Sequence, residues 1–275
     1  MVNLPSIAIL GSGSMGGAIL SGLLAPSVTV AGGIRVTNRT PEKARALASD
    51  AVTSYALEET PDANQRAVAG ARLVLIGVKP HMVPELLASM ADDLEPDAVV
   101  ISVAAGVTIA TMEALVPGAV ARAMPNTPAV VGLAVTGLSA GSRISDEQMA
   151  LARSLFETVG EVLEVPESKI DALSTISGSG PAYVFYLIEE LTRTAIDLGF
   201  TAEEAAVMVN GTFRGASELL ASSGGVDPSE LRRRVTSPKG TTERAVAVLE
   251  SGDLKGLFDR ATAAALARAK ELAAG

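Results

Sequence analysis

The chain has 275 residues, enough for two domains or one large one; 48% are hydrophobic and 3% aromatic, so its core is built from Ala, Val, Leu and Ile. A formal charge of −9 repels a phosphate backbone and argues against a nucleic-acid partner. The absence of cysteine and a single histidine, His81, exclude disulfides, thiolate chemistry and a multi-histidine metal centre, and no metal is expected. No apolar run reaches the length of a membrane span, and Met1–Leu10 lacks the pattern of a signal peptide, so the expectation is a cytoplasmic protein with no membrane partner.

The first half alternates strands with helices. Ile7–Leu10 reads as a buried strand, Met15–Leu24 as a helix and Ile34–Thr37 as a second strand. Thr40 caps a helix over Pro41–Ser49, with Pro41 at its first position. Strands follow at Leu73–Val78, Val99–Val103 and Ala119–Ala123, with helices at Pro80–Met90 and Ile109–Leu115 between them. Each strand is apolar on both faces, which predicts a parallel sheet covered on both sides. Ala134–Ser139 and Glu161–Val165 are the last strands, separated by a helix over Asp146–Val159 that the Ser145/Gln148 capping box opens. Past Pro166 only helical patterns remain: Tyr183–Leu198, then Ala202–Ala221 behind the Thr201/Glu204 box, a shorter helix from Asp227, Glu243–Glu250, and Leu254–Leu272. A domain boundary is therefore expected near Pro166–Ser168.

Gly11, Gly13 and Gly16 form G-x-G-x-x-G between the first strand and the first helix. The first glycine permits the tight turn, the second lets a pyrophosphate approach the backbone, and the third lets helix and strand pack closely. The context predicts dinucleotide binding by Gly11, Ser12, Gly13, Ser14, Met15 and Gly16. An NAD site places an acid about 20 residues beyond the loop; here the second strand ends in Asn38-Arg39-Thr40. Arg39 either neutralises a 2′-phosphate, with Asn38 and Thr40 hydrogen-bonding it, or is a solvated charge. The pattern favours NADPH, with NADH less favoured.

Three further segments end strands, where doubly wound sheets bind ligands. They are Val78-Lys79-Pro80, Ala104-Ala105-Gly106 and Met124-Pro125-Asn126-Thr127-Pro128. Lys79 either steadies a phosphate or ribose or lies on the surface, and His81 carries no catalytic expectation. Ser177–Ala182 precedes a long helix; its glycines allow close approach to a ligand or second subunit, or mark a helix-entry loop. Val235–Thr242 reads Val-Thr-Ser-Pro-Lys-Gly-Thr-Thr. It places Ser237, Gly240, Thr241 and Thr242 where a helix begins, which suits a carboxylate or phosphate or is simply a capped turn.

Together these segments resemble the Δ1-pyrroline-5-carboxylate reductase family, the last enzymes of proline synthesis, over nearly the whole chain. Val235–Thr242 is the most specific match. One departure is Lys239, where the family commonly has Gly. The resemblance implies an α/β Rossmann-like domain with a mainly parallel sheet over residues 1–166, and an all-α substrate-binding and dimerisation domain over 167–275. It implies an intertwined homodimer, commonly assembled into a decamer, with the substrate between the nicotinamide and the helical domain and a neighbouring subunit completing the site. It adds Asn64, Val78, Lys79, Pro80, Ala104, Ala105, Gly106 and Asn126 to the cofactor contacts, and Ser179 to those with 1-pyrroline-5-carboxylate. The substrate carboxylate is expected on N–H groups near Gly240, Thr241 and Thr242 with Ser237 assisting, and the Thr242 hydroxyl at the ring nitrogen. Two other readings compete. A β-hydroxyacid dehydrogenase would need a lysine acid, but Lys169, Lys239, Lys255 and Lys270 sit in the wrong local context. A non-catalytic NADP(H) sensor would not need the Ser-Pro-x-Gly-Thr-Thr loop.

Overall fold

The structure, a computed structural model, describes residues 1–274. Its strands are β1 (Val2–Leu4), β2 (Ile7–Leu10), β3 (Val28–Val30), β4 (Ile34–Asn38), β5 (Val52–Ala56), β6 (Leu73–Ile76), β7 (Val99–Ser102), β8 (Ala119–Met124), β9 (Ala134–Ala140) and β10 (Gly160–Glu164). Eight of them form one sheet in the order β10-β9-β8-β7-β6-β2-β4-β5, and β1 pairs with β3 apart from it. Every pair in the large sheet is parallel except β8 with β9.

The helices of this half are α1 (Ser14–Leu23), α2 (Pro41–Leu47), α3 (Ala63–Val68), α4 (Val83–Met90), α5 (Ile109–Glu113), α6 (Asp146–Glu157) and α7 (Ile170–Leu173). Side chains along a strand point to alternate faces, so each strand feeds two cores. Ile7, Ile9, Leu73, Leu75, Val99 and Ile101 pack with Ile19 and Leu23 of α1 and Leu155 and Phe156 of α6. Ala8, Leu10, Val74, Ile76 and Val100 pack with Val68 of α3, Leu87 and Met90 of α4 and Met112 of α5. Each such Leu, Ile or Phe contributes about 1.5–3 kcal/mol by leaving water. The doubly covered sheet expected from the sequence is thus present.

The differences are local. β1, β3, β5 and α3 are elements the sequence pattern did not predict; β1 and β3 have three residues each, too few for a period to show. Pro80–Met82 is a 3-10 turn leading into α4. Ser145 and Thr201 form the expected capping boxes, whereas Thr40 holds the cap position of α2 without a side-chain bond. Ser177–Ala182, where the sequence allowed either a close-approach segment or a helix-entry loop, is helical. A π-helical turn spans Ser174–Gly178, and α8 begins at Gly180.

The remaining helices are α8 (Gly180–Asp197), α9 (Ala202–Ala221), α10 (Pro228–Arg234), α11 (Thr241–Ser251) and α12 (Leu254–Ala274). Contacts divide the chain into two compact units, Gly180–Ala264 and the rest. Residues 167–179 stay with the sheet unit, because the 3-10 turn Glu167–Lys169, α7 and the π turn all pack on β9. Within Gly180–Ala264 the buried hydrophobic residues are only Ala195, Ala205 and Val209.

Candidate active site

β2 stands where the strand order turns back, with β4 and β5 on one side and β6 to β10 on the other. A crevice opens at such a point, beyond the carboxyl ends of the strands. Here it is a cleft of about 870 Å³. Its floor is Gly11, Ser12, Gly13, Ser14 and Met15. Gly11 takes a left-handed φ of +88°, and a Cβ on Gly16 would lie 2.8 Å from the Gly11 carbonyl oxygen, so helix and strand pack as closely as the motif requires. Gly13 caps α1 without a side chain, leaving first-turn N–H groups free for an anion.

One end of the cleft is formed by Thr37, Asn38, Arg39, Thr40, Lys43, Leu57, Glu58 and Asn64. Arg39 lies in an ion pair, its Nε 3.5 Å from Glu58 Oε1. Lys43 and Glu58 were missed by the sequence reading. Lys43 lies in the first turn of α2, just past the end of β4; Glu58 follows β5, a strand the pattern did not show. The other end is formed by Gly77, Val78, Lys79, Pro80, Met82, Leu86, Val103, Ala104 and Ala105.

Three buried polar atoms along this cleft, Ser12 Oγ, Asn38 Nδ2 and Asn64 Oδ1, have no hydrogen-bond partner. Burying such groups unpaired is costly. Together with the glycine floor and the free helix end, they fit a dinucleotide. Gly16, Gly106 and Asn126 do not line the cleft. Gly106 shapes its turn at φ +79°. The Asn126 amide is engaged elsewhere: Nδ2 donates to the Ser177 carbonyl at 2.9 Å, and Oδ1 accepts from the Val135 N–H at 2.8 Å. His81 is exposed and also lies outside the lining.

The second expected site is the loop between α10 and α11. The Gly240 N–H donates to the Ser237 carbonyl at 3.0 Å, closing a turn over Pro238 and Lys239. Lys239 has φ +58°, the left-handed value that a type II turn demands and glycine adopts most readily. Its N–H donates to Glu243 Oε2 at 2.8 Å. Because the Gly240 N–H closes the turn, the free donors are those of α11 itself, which begins at Thr241, two residues earlier than expected, with Gly240 as a cap lacking a side chain. Arg232 of α10 reaches Glu250 of α11 at 2.8 Å, linking the helices on either side of the loop. Hydrogen bonds from Arg233 and then Arg234 lower the Glu230 carboxyl to about 2. Ser179 ends the π turn, its N–H donating to the Ser174 carbonyl at 2.9 Å. π turns are frequent at functional sites. Among the described residues no group of His, Cys, Asp and Glu could hold a metal ion.

Residues 167–272 match the family described as pyrroline-5-carboxylate reductase dimerisation, and residues 6–106 match the one described as NADP oxidoreductase, coenzyme F420-dependent. The chain is 38% identical to the pyrroline-5-carboxylate reductase of Corynebacterium melassecola over 272 residues, covering 97% of this chain and 98% of that protein. The chain belongs to the pyrroline-5-carboxylate reductase family. The reductase of Pseudomonas aeruginosa is 37% identical over 272 residues, covering 98% and 97% of the two chains. The solved structure of the reductase from Coxiella burnetii superposes with a TM-score of 0.88 at 37% identity, over 97% of each chain. The Rossmann-like and all-helical architecture expected from the sequence is that of this family. Its dimerisation region coincides with apolar side chains left in solvent here, among them Phe185, Tyr186, Leu198, Val207, Val248 and Leu249. A surface of that kind is covered by a partner, and in this family the partner is a second copy.

Proposed function

We propose that this protein is an NADPH-dependent imine reductase that converts 1-pyrroline-5-carboxylate to L-proline, the last step of proline biosynthesis. The full-length likeness to reductases of that name carries the reading. NADPH supplies the hydride that adds to the C=N carbon, and a proton on the ring nitrogen completes the amine. Gly11 to Met15 hold the pyrophosphate, and Asn38, Arg39, Thr40 and Asn64 hold the adenosine ribose and its 2′-phosphate. Val78, Lys79, Pro80, Ala104 and Ala105 bound the opposite end, and Gly16, Gly106 and Asn126 shape the loops from behind. NADH serves less well.

The division of labour we propose assigns residues 1–166 to the cofactor and residues 167–275 to substrate and dimerisation. The N–H groups of Thr241 and Thr242, with the Ser237 hydroxyl, receive the substrate carboxylate, and Ser179 contributes a further polar contact. The Thr242 hydroxyl bonds the ring nitrogen and orients the ring. A threonine is a poor general acid, so the proton arrives on the imine from water, and Thr242 holds the protonated ring in place. Dimers assemble into decamers in this reading. A place in the cytoplasm is part of this reading; among the described residues no helix is long and apolar enough to cross a membrane.

The test is direct. Purified protein is incubated with NADPH and 1-pyrroline-5-carboxylate, and the fall in NADPH absorbance is followed together with proline formation. Absorbance that stays constant at saturating substrate removes the proposal.

A further inference from the structure

Glu58 brings a carboxylate into the end of the cleft that carries Arg39 and Lys43. It is held there by the backbone. Beyond the last ladder pair of β4 and β5, Asn38 with Ala56, the Leu57 N–H donates to the Asn38 carbonyl at 2.9 Å and the Glu58 N–H to the Arg39 carbonyl at 3.2 Å. These bonds fix the Glu58 Cα beside Arg39, and the side chains complete an ion pair at 3.5 Å. The two residues are therefore tied together twice, by main chain and by charge.

That position has opposite consequences for the two nicotinamide cofactors. A 2′-phosphate carries about −1.5 to −2 charges at neutral pH and needs cations that are free to turn toward it. A carboxylate at the same place competes for Arg39 and repels the phosphate. A bare ribose offers hydroxyl donors, for which a carboxylate is the usual acceptor. Resting on the nucleotide reading of the cleft given above, we infer that Glu58 is a cofactor-selectivity residue. It restrains the preference for NADPH by holding Arg39 and supplies the ribose acceptor that lets NADH bind.

The test needs no hydride transfer. Adenosine 2′,5′-bisphosphate and adenosine 5′-monophosphate are titrated by calorimetry into the wild-type dimer and into Glu58→Gln and Glu58→Asp variants. Removing the charge in Glu58→Gln tightens the bisphosphate and weakens the monophosphate, moving the ratio of their dissociation constants about threefold or more, the scale of a partly exposed charge pair. Glu58→Asp keeps the charge and holds the wild-type ratio within about twofold. The gain in Glu58→Gln shrinks at high salt, as a charge effect must. A ratio unchanged in Glu58→Gln, or a salt-independent change shared by both nucleotides, overturns the role of Glu58 while leaving the cleft intact. If wild type binds neither nucleotide, the cleft reading itself falls, and this inference with it.

Discussion

Gly11 at the end of β2 and Val78 after β6 lie so close that a Cβ on Gly11 would stand 2.7 Å from Val78 Cγ1 and 3.0 Å from the Val78 nitrogen. Two of the loops that bound the cleft are thus packed backbone to backbone, and Gly11 is also left-handed at φ +88°. Gly11→Ala combines a steric collision with a disfavoured backbone angle. It should cost about 2–4 kcal/mol of stability and abolish binding of NADP+. Urea unfolding and a cofactor titration check both effects; a variant that binds NADP+ as wild type does would show that the two loops are not locked together.

Thr242 stands in the first turn of α11, behind a cap with no side chain. Its proposed work is on the substrate, so Thr242→Ala should lower kcat by about ten- to a hundredfold, a loss of about 1.4–2.7 kcal/mol in the transition state. The dissociation constant for NADPH should stay within about twofold. Equal losses in turnover and in cofactor binding contradict the assigned role.

Arg39 is an exposed cation at the end of the cleft that also carries Lys43, and it is paired with Glu58. Arg39→Ala should raise the KM for NADPH about tenfold and change that for NADH far less, because a charge-assisted bond to phosphate is lost from one cofactor only. Steady-state kinetics with both cofactors decide it. An unchanged ratio of the two KM values would remove Arg39 from the phosphate site.

Lys239 adopts φ +58° in the turn before α11, where an L side chain costs about 1–2 kcal/mol and glycine pays instead in unfolded-state entropy. Lys239→Gly should therefore stabilise the protein by roughly 0.5–1 kcal/mol. It also removes a cation beside the loop proposed for the substrate carboxylate, so KM for the substrate should rise modestly. Destabilisation on urea unfolding would mean that the lysine side chain makes a compensating contact.

Arg122 of β8 is buried, its side chain 4% exposed, while its partners Glu167 and Asp171 are 30% and 29% exposed. Asp171 accepts from Nη2 at 2.7 Å, and Glu167 also accepts from the Ile109 N–H at the start of α5 at 2.8 Å. This cluster fastens residues 167–171 to the sheet. Arg122→Leu strands two carboxylates of which one also holds a helix end, and should cost about 2–3 kcal/mol, below the range for a fully buried pair because the acids reach water. A loss under about 1 kcal/mol would show that packing alone holds the segment.

Much of the fold was legible because its signals are local. Ile7–Leu10 is apolar on both faces, and the glycine loop follows it directly. Ser145/Gln148 and Thr201/Glu204 announce their helices within four residues. The misses have the opposite character. The Ser-Gly-rich run at Ser177–Ala182 allowed a helix-entry loop, yet its residues lie in a π turn and in α8, and the Ser177 carbonyl accepts from Asn126 in the loop after β8. Local composition cannot report a partner 51 residues away.

By itself, then, the chain's alternation of apolar faces determined a doubly covered sheet, its glycine spacing determined the tight strand–loop–helix turn that floors the cleft, and its Ser-Pro-Lys-Gly-Thr-Thr run marked the second loop, because each of these depends on neighbours within a few residues. Tertiary structure alone decided that β5 lies beside β4 and so brings Glu58 to Arg39, that Gly11 abuts Val78, and that residues 167–179 are fastened to the sheet through Arg122 and Asn126. Those pairings join positions far apart in sequence. Their energies come from burial and charge at the meeting point, which no local pattern encodes.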